Sequence, residues 1–395
     1  MGATVIDFSL SEEQRAVQGW VRTFVERELM PLENDVLRRE REGHPPGLTH
    51  EESTRLRALA RKSDFWGVAT PEEYGGMGLD PVSEAIIEIE LGRSFLTFKF
   101  GGEADNILYY ANEEQRKRYL LPTIEGERKS CFAITEPGAG SDAKAIRAKA
   151  VRDGDEWVIN GEKTFITGGN EADFALVFAV TDPEKGANGG VTCFIVDRDM
   201  GWTSEPIDTM GERRPASLIF QDVRVPHENV LGEEGQGFAL AMKWIGKGRY
   251  LLPARALGGC ERLLDMALDY AKTRETFGAP IADRQAIQWM IADSQTEIEA
   301  LRLLVLHAAW QVAEGKDSRH AQSIAKLFGG VKANEIVDRV MQIHGGMGYT
   351  RELPIERFYR DVRLLRIFEG TDEIQRRTIA RDLLKGHVKV GATLG

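Results

Sequence analysis

Apolar positions along this chain follow three successive rhythms. From about Ser11 to Glu125 they recur at helical spacing. Ser11-Glu12-Glu13-Gln14 reads as a capping box, and Val17, Trp20, Val21, Phe24 and Val25 then form one apolar stripe. Leu56, Leu59 and Ala60 mark a second helix, and Ile86, Ile87, Ile89 and Leu91 a third, with a glycine-rich loop over 74–78 between them. From about Ser130 to Glu234 the period drops to two. Segments 157–159, 174–178, 191–196 and 218–220 read as strands, with Asp153-Gly154 and Asn160-Gly161 as hairpin turns. From about Phe238 helical spacing returns. Leu257, Cys260, Leu264, Ala267 and Ala271 share one face, and Leu301, Leu304 and Val305 another. Further helices run over 321–340, closed by Gly345-Gly346, and over 372–384.

The order predicts an α+β chain with three parts: a helical domain over 1–128, an antiparallel β-barrel or sandwich over 129–237, and a helical domain over 238–395. No long helix interrupts the strands, and no G-x-G-x-x-G or Walker A pattern occurs, so the middle is not a Rossmann unit.

Composition narrows the function classes. At 42% hydrophobic and 29% charged residues the chain can bury a sizeable core. A net charge of −11 argues against nucleic acid and against anionic membranes as partners. No apolar run is long enough for a membrane span. Met1 to Asp7 lack a basic stretch followed by an apolar one, which is read as no signal peptide and a cytoplasmic chain; a processed organellar chain would look the same. Cys131, Cys193 and Cys260 are odd in number and scattered, fitting inert thiols rather than a disulfide framework. Histidine spacing predicts no metal site.

Three segments carry candidate chemistry. In 364–376, Leu364, Leu365, Ile367 and Phe368 would desolvate Glu369 and raise its pKa toward that of a general base, Gly370 would permit close approach, and Thr371 would cap the helix that follows. Taken alone, a capped surface helix with a stray Glu is the plainer reading. In Thr135-Glu136-Pro137-Gly138-Ala139-Gly140-Ser141-Asp142, two glycines could turn backbone N–H groups toward an anion, with Ser141 adding a hydroxyl and Thr135 able to meet a heterocycle edge. Taken alone, a tight Pro-Gly turn with an Asx cap is the plainer reading. In 163–170, Phe165 and Thr167 would share a strand face that could cover a flat ring; a strand end with a core Phe165 is the plainer reading.

Together with Arg274-Glu275-Thr276-Phe277-Gly278 and Gln342-Ile343-His344-Gly345-Gly346, these segments resemble the acyl-CoA dehydrogenase family over nearly the whole chain, from about Phe8 to Lys385. The resemblance implies a C-terminal four-helix bundle and an FAD cofactor. Phe132, Thr135, Gly140 and Ser141 would hold the flavin and its pyrophosphate, and Phe165, Ile166 and Thr167 would flank the isoalloxazine. Arg274, Phe277, Gln285, Gln342, Ile343, Gly345 and Gly346 would clasp the FAD of a neighbouring subunit, with Thr371 and Glu373 at a further contact. Ser141, Arg249 and Gly370 would meet the acyl-CoA substrate. Glu369 would remove the α proton while the β hydrogen leaves as hydride to flavin N5, giving the trans-2-enoyl-CoA. The resemblance further implies a homotetramer built as a dimer of dimers, an electron-transferring flavoprotein as electron partner, and a place in fatty-acid or amino-acid breakdown.

Some positions depart from the family pattern. Certain members carry the base just before the position of Arg249, where this chain has Gly246-Lys247-Gly248. Phe165 stands for a common Trp and Phe368 for a common Tyr, while Pro253 is expected one turn into a helix that Arg249 opens. Phe95, Phe98 and Phe100 are expected either to flatten the acyl pocket or to pack as a helix face with Lys99 and Glu103 paired outside. An oxidase or monooxygenase using O₂ and a non-catalytic CoA-thioester-binding flavoprotein are the alternatives.

Overall fold

The computed structural model describes residues 9–212 and 214–391. The N-terminal residues read above for a leader lie outside that range. The N-terminal helices are α1 (Glu12–Phe24), α2 (Met30–Arg41), α3 (His50–Lys62), α4 (Pro81–Gly92) and the short α5 (Leu121–Glu125). The capping box forms as expected: the Ser11 hydroxyl accepts from the Gln14 N–H at 3.1 Å, and the Gln14 side chain accepts from the Ser11 N–H at 3.0 Å. A π turn at Val25–Leu29 joins α1 to α2. Helix α4 is buried on most sides, and its buried Glu90 takes a two-pronged ion pair from Arg22 at 2.8 and 3.0 Å.

Segment 95–102 is irregular rather than helical, with bends and left-handed Gly101 and Gly102. Phe98 and Phe100 join Trp20, Phe24 and Phe65 in one aromatic cluster of the N-terminal core, and Phe95 meets Phe358 edge-on. All three phenylalanines are therefore buried core residues, and they do not form a helix face.

The middle part is a seven-stranded curled sheet of β1 (Ser130–Ala133), β2 (Lys149–Asp153), β3 (Glu156–Ile166), β4 (Phe174–Val180), β5 (Val191–Asp197), β6 (Thr203–Pro206) and β7 (Ala216–Pro226). Its order is β1-β4-β2-β3-β7-β6, with β5 on β4. Most pairs are antiparallel, but β1 runs parallel to β4 in the register Ser130↔Phe174. The β2–β3 hairpin between them supplies the long connection a parallel pair needs. Asp153-Gly154 makes that hairpin's turn, whereas Asn160-Gly161 lies within β3 at a register shift. There the Asn160 amide bonds the left-handed Asp222 twice, at 2.9 and 3.0 Å, so the Asn-Gly pair marks a bulge instead of a turn.

The C-terminal part packs α6 (Gly237–Thr273), α7 (Gln285–Ala313), α8 (Arg319–His344), α9 (Ile355–Leu364) and α10 (Asp372–Leu384) around a core of Leu257, Leu263, Leu301, Val305, Ile336 and Val340. Helix α6 has 37 residues. Arg249 thus sits in mid-helix rather than opening it, and Pro253 is buried in the interior of an unbroken helix. Helices α4 and α6 cross in close contact. A Cβ on Gly258 would lie 1.7 Å from the Ile89 carbonyl, and one on Gly92 would lie 1.8 Å from the Arg255 carbonyl. The three cysteines are buried, and burial pushes the Cys131 thiol up to about 12.

Candidate active site

Helix α9 ends at Leu364 and α10 begins at Asp372, and the loop between them carries the predicted base. Glu369 has φ 54° and Gly370 has φ 87°, so two consecutive residues are left-handed. Among the described residues five non-glycines have positive φ, and three of them (Phe165, Phe277 and Glu369) are predicted site residues. Such strain persists where surrounding structure imposes it. At the loop's end Thr371 accepts from the Ile374 N–H at 3.3 Å, and the buried Asp372 pairs with Arg366 at 2.7 Å. Glu373 is exposed in the first turn, its carboxylate held below the usual range by its own N–H and the Thr371 hydroxyl.

The Glu369 side chain lies against α6. A Cβ on Gly248 would stand 3.1 Å from Glu369 Cδ. The next residue, Arg249, is lowered by burial, an effect that the charge of Glu369 opposes. Leu364 and Ile367 are exposed, contrary to the expectation that they desolvate Glu369; the packing comes from α6 instead.

One turn before Gly248, Trp244 stacks face to face on Phe132 of β1, centroids 3.9 Å apart and planes at 6°. This contact brings the end of β1, and hence the 135–142 segment, beside the same helix face. Within that segment the buried Glu136 accepts from the N–H groups of Arg147 and Ala148 at 2.6 and 2.9 Å and from Lys163 Nζ at 2.7 Å. The Thr135 carbonyl accepts from the Thr164 N–H at 2.8 Å. Glu136 and Lys163 thereby tie the 135–142 and 163–167 segments together. Sequence reasoning missed this pair, because nothing local couples positions 27 apart.

The tied segments present an open surface. A Cβ on Gly138 or Gly140 would meet no protein atom within 4 Å, and Ser141 is exposed. Phe165 is 63% exposed although aromatic, and Thr167, just past the end of β3, is exposed with it. Ile166 between them is buried in the sheet core, which leaves only its backbone for a ligand.

The remaining predicted residues gather elsewhere. Arg274 caps the C-terminus of α6, and a small hairpin of β8 (Glu275–Thr276) and β9 (Ala279–Pro280) carries Phe277, which is 100% exposed. Gln285 opens α7, Gln342 and Gly345 end α8, and Gly346 follows; all are exposed. Ile343 again points into the core. The Tyr270 ring stacks on His344 at 4.5 Å, joining the ends of α6 and α8 into one surface. His344 lies 18 residues, or about 27 Å of helix, from Lys326, which contacts the Glu369 loop. The predicted residues therefore form two surfaces at opposite ends of α8. Among the described residues no cluster suits a metal ion, and no helix is long and apolar enough to cross a membrane.

Known proteins resemble this chain over nearly its whole length. Family models described as the acyl-CoA dehydrogenase N-terminal, middle and C-terminal domains match residues 11–127, 131–223 and 235–384. The caffeyl-CoA reductase-Etf complex subunit CarC of Acetobacterium woodii is 38% identical over 95% of this chain and 99% of its own. The butyryl-CoA dehydrogenase structure from Megasphaera elsdenii superposes with a TM-score of 0.84 at 34% identity, covering 96% of this chain and 100% of that one. The FAD complex of PigA does so with a TM-score of 0.86 at 27% identity, covering 96% and 99%. With family models matching all three parts in order, and a relative aligned from end to end, the chain belongs to the acyl-CoA dehydrogenase family.

Proposed function

We propose that the protein is an FAD-dependent acyl-CoA dehydrogenase that desaturates the α,β bond of an acyl-CoA thioester, with Glu369 as the α-proton base. The observation that carries this reading is the Glu369 carboxylate held in a left-handed loop against the Gly248 notch of α6, whose Gly246-Lys247-Gly248-Arg249 stretch carries no carboxylate of its own. Arg249 beside it keeps a buried Nε with no hydrogen-bond partner among the described residues, a donor suited to the thioester's CoA portion. Ser141 and Gly370 would line the same channel.

The residues fit FAD. An exposed aromatic at Phe165, a hydroxyl at Thr167 and the open glycine surface of 138–141 suit a flat ring with a pyrophosphate. Phe132, Thr135, Gly140, Ser141, Phe165, Thr167, Thr371 and Glu373 would hold it, with the backbone of Ile166. Bound there, the flavin would accept the two electrons and the β hydrogen. Glu369 takes the α proton, and its fixed loop keeps the carboxylate aimed without reorganisation. The second surface is about 27 Å of helix away, which supports its use by another copy. Arg274, Phe277, Gln285, Gln342, Gly345, Gly346 and the Ile343 backbone would complete a neighbour's FAD site in a homotetramer.

A relative named for its complex with Etf supports an electron-transferring flavoprotein as partner, and that relative's name as a reductase makes the reverse reaction a companion reading. Glu369 serves both directions, returning its proton to the α carbon in reduction. The test is anaerobic mixing of the yellow protein with straight, branched and aromatic acyl-CoA thioesters. Bleaching near 450 nm that Glu369→Gln abolishes while FAD stays bound is the expected result, and normal bleaching by that variant refutes the assignment. Rapid reoxidation of the reduced enzyme by O₂ would favour the oxidase reading instead.

A further inference from the structure

We infer that Lys326 is a positioning residue for Glu369: from behind the loop its ammonium, with the Gln375 amide, grips the two left-handed residues and keeps the base ionised. The inference rests on the desaturation reading and assigns it a residue outside the motifs.

The grip is visible atom by atom. The Glu369 carbonyl accepts from Gln375 Nε2 at 3.0 Å. The Gly370 carbonyl accepts from the same amide at 3.2 Å and from Lys326 Nζ at 2.5 Å. The donors come from different helices, Lys326 from α8 and Gln375 from α10, and both are buried. A Cβ on Gly370 would stand 2.6 Å from Gln375 Nε2, so glycine is needed there both for its φ and for this contact. Left-handed conformation at a glutamate is uncommon, and here two carbonyls are held from the core side so that it persists.

Anchoring alone does not require a charge, since Gln375 performs it with a neutral amide. Burying an ammonium is costly unless nearby charge compensates it. The groups facing Lys326 are Asp372, Glu369 and Glu373, which favour its charged form, and Arg249, which opposes it. Burial outweighs them and brings the amine down to about 8. The charge of Glu369 favours the ammonium of Lys326, whose hydrogen bond to the loop is at the adjacent Gly370 carbonyl, and by reciprocity the ammonium favours the carboxylate. Positive charge behind a carboxylate favours its ionised form, the form able to accept a proton.

The test compares wild type, Lys326→Met, Lys326→Gln and Lys326→Arg as FAD-loaded full chains. The readout is the pH dependence of the bleaching rate with whichever acyl-CoA of the panel reduces wild type fastest. Both uncharged variants should retain FAD and bleach roughly 10- to 100-fold more slowly. Their acid limb should move up by about one pH unit, because Glu369 then ionises later. Lys326→Arg should return the limb to the wild-type position. Should Lys326→Met fail to fold, Lys326→Gln retains an N–H donor and separates charge from bond. Uncharged variants that are slow with an unmoved acid limb, or that bleach at the wild-type rate, overturn the inference while leaving the desaturation reading intact. A wild type that no thioester bleaches overturns both.

Discussion

The carboxylate of Glu369 occupies space that any side chain at Gly248 would claim, since a Cβ there would come within 3.1 Å of Glu369 Cδ and 3.3 Å of its Oε2. Helix α6 thus forms one wall of the base's site by lacking a side chain. Gly248→Ala should displace Glu369 by a few tenths of an ångström and slow flavin bleaching by about tenfold, with FAD content unchanged. Adjacency also makes the two positions interchangeable sources of a carboxylate. The double variant Gly248→Glu/Glu369→Gly should recover activity that Glu369→Gly alone lacks, to within about a hundredfold of wild type. Single-turnover bleaching measures both, and a double variant as inactive as Glu369→Gly would refute the shared-site argument.

The Glu136–Lys163 pair predicts a stability effect. Lys163→Met would strand the Glu136 carboxylate with only its two backbone donors, at a cost of about 3–5 kcal/mol. Chemical denaturation checks the magnitude, and Glu136→Gln in addition should restore part of it. Burial lowers Lys163 to about 8 from its ordinary 10.5. Between those values the folded state binds fewer protons than the unfolded chain, so this group makes stability rise with pH across that window. Below pH 8 its burial cost is present in full. Lys163→Met should remove this rising contribution. Lys326 adds one of the same sign in the same window, and the buried thiols, raised by burial, add contributions of the opposite sign above about pH 9, so the difference between variant and wild type is the quantity to read.

Local patterns made much of this legible, and their limits are physical. Periodicity marked the helical, β and helical zones because amphipathic faces repeat at the spacing of their own secondary structure. The motifs around Thr135 and Glu369 showed themselves through residue types suited to ligand contact. What stayed hidden depends on partners distant in sequence. Lys326 and Gln375 look like ordinary helix residues until the loop lies across them. Asn160-Gly161 carries a turn signature, and only its pairing with Asp222 makes it a bulge. Phe95, Phe98 and Phe100 were ambiguous because a run of aromatics suits a pocket and a core equally. Ile166 and Ile343 sit inside binding motifs yet face inward, since neighbours on a strand or helix point to different sides.

Phe277 tests the assembly. It is fully exposed at φ 53° on its hairpin, a placement that no contact among the described residues rewards. Phe277→Ala should leave the melting of the FAD-free protein unchanged within about a degree, because nothing among the described residues packs on the ring. FAD retention through gel filtration, read from absorbance at 280 and 450 nm, should fall roughly tenfold. An unchanged ratio would show that the neighbour's hairpin contributes nothing to the cofactor.

The last prediction concerns the acyl group. With the three phenylalanines in the core, the residues that bridge α4 and α6 beside Gly248 are Glu84 and Lys247, paired at 2.6 Å. Lys247, in the third turn of α6, keeps its side chain 36% exposed, and the Glu84 side chain is 12% exposed. Burial raises Glu84 while the ammonium of Lys247 opposes that rise, so the pair is held partly out of water. An alkyl terminus brought against it would displace water from two charges without replacing their hydrogen bonds, which disfavours long unsubstituted chains. Removing one charge alone would strand the other, so the informative variant is Glu84→Gln/Lys247→Met. It should gain about tenfold in kcat/KM for medium straight chains relative to four-carbon substrates. A thioester panel compared between wild type and the double variant measures the ratio. If it does not move, the bridge braces two helices and takes no part in choosing the substrate.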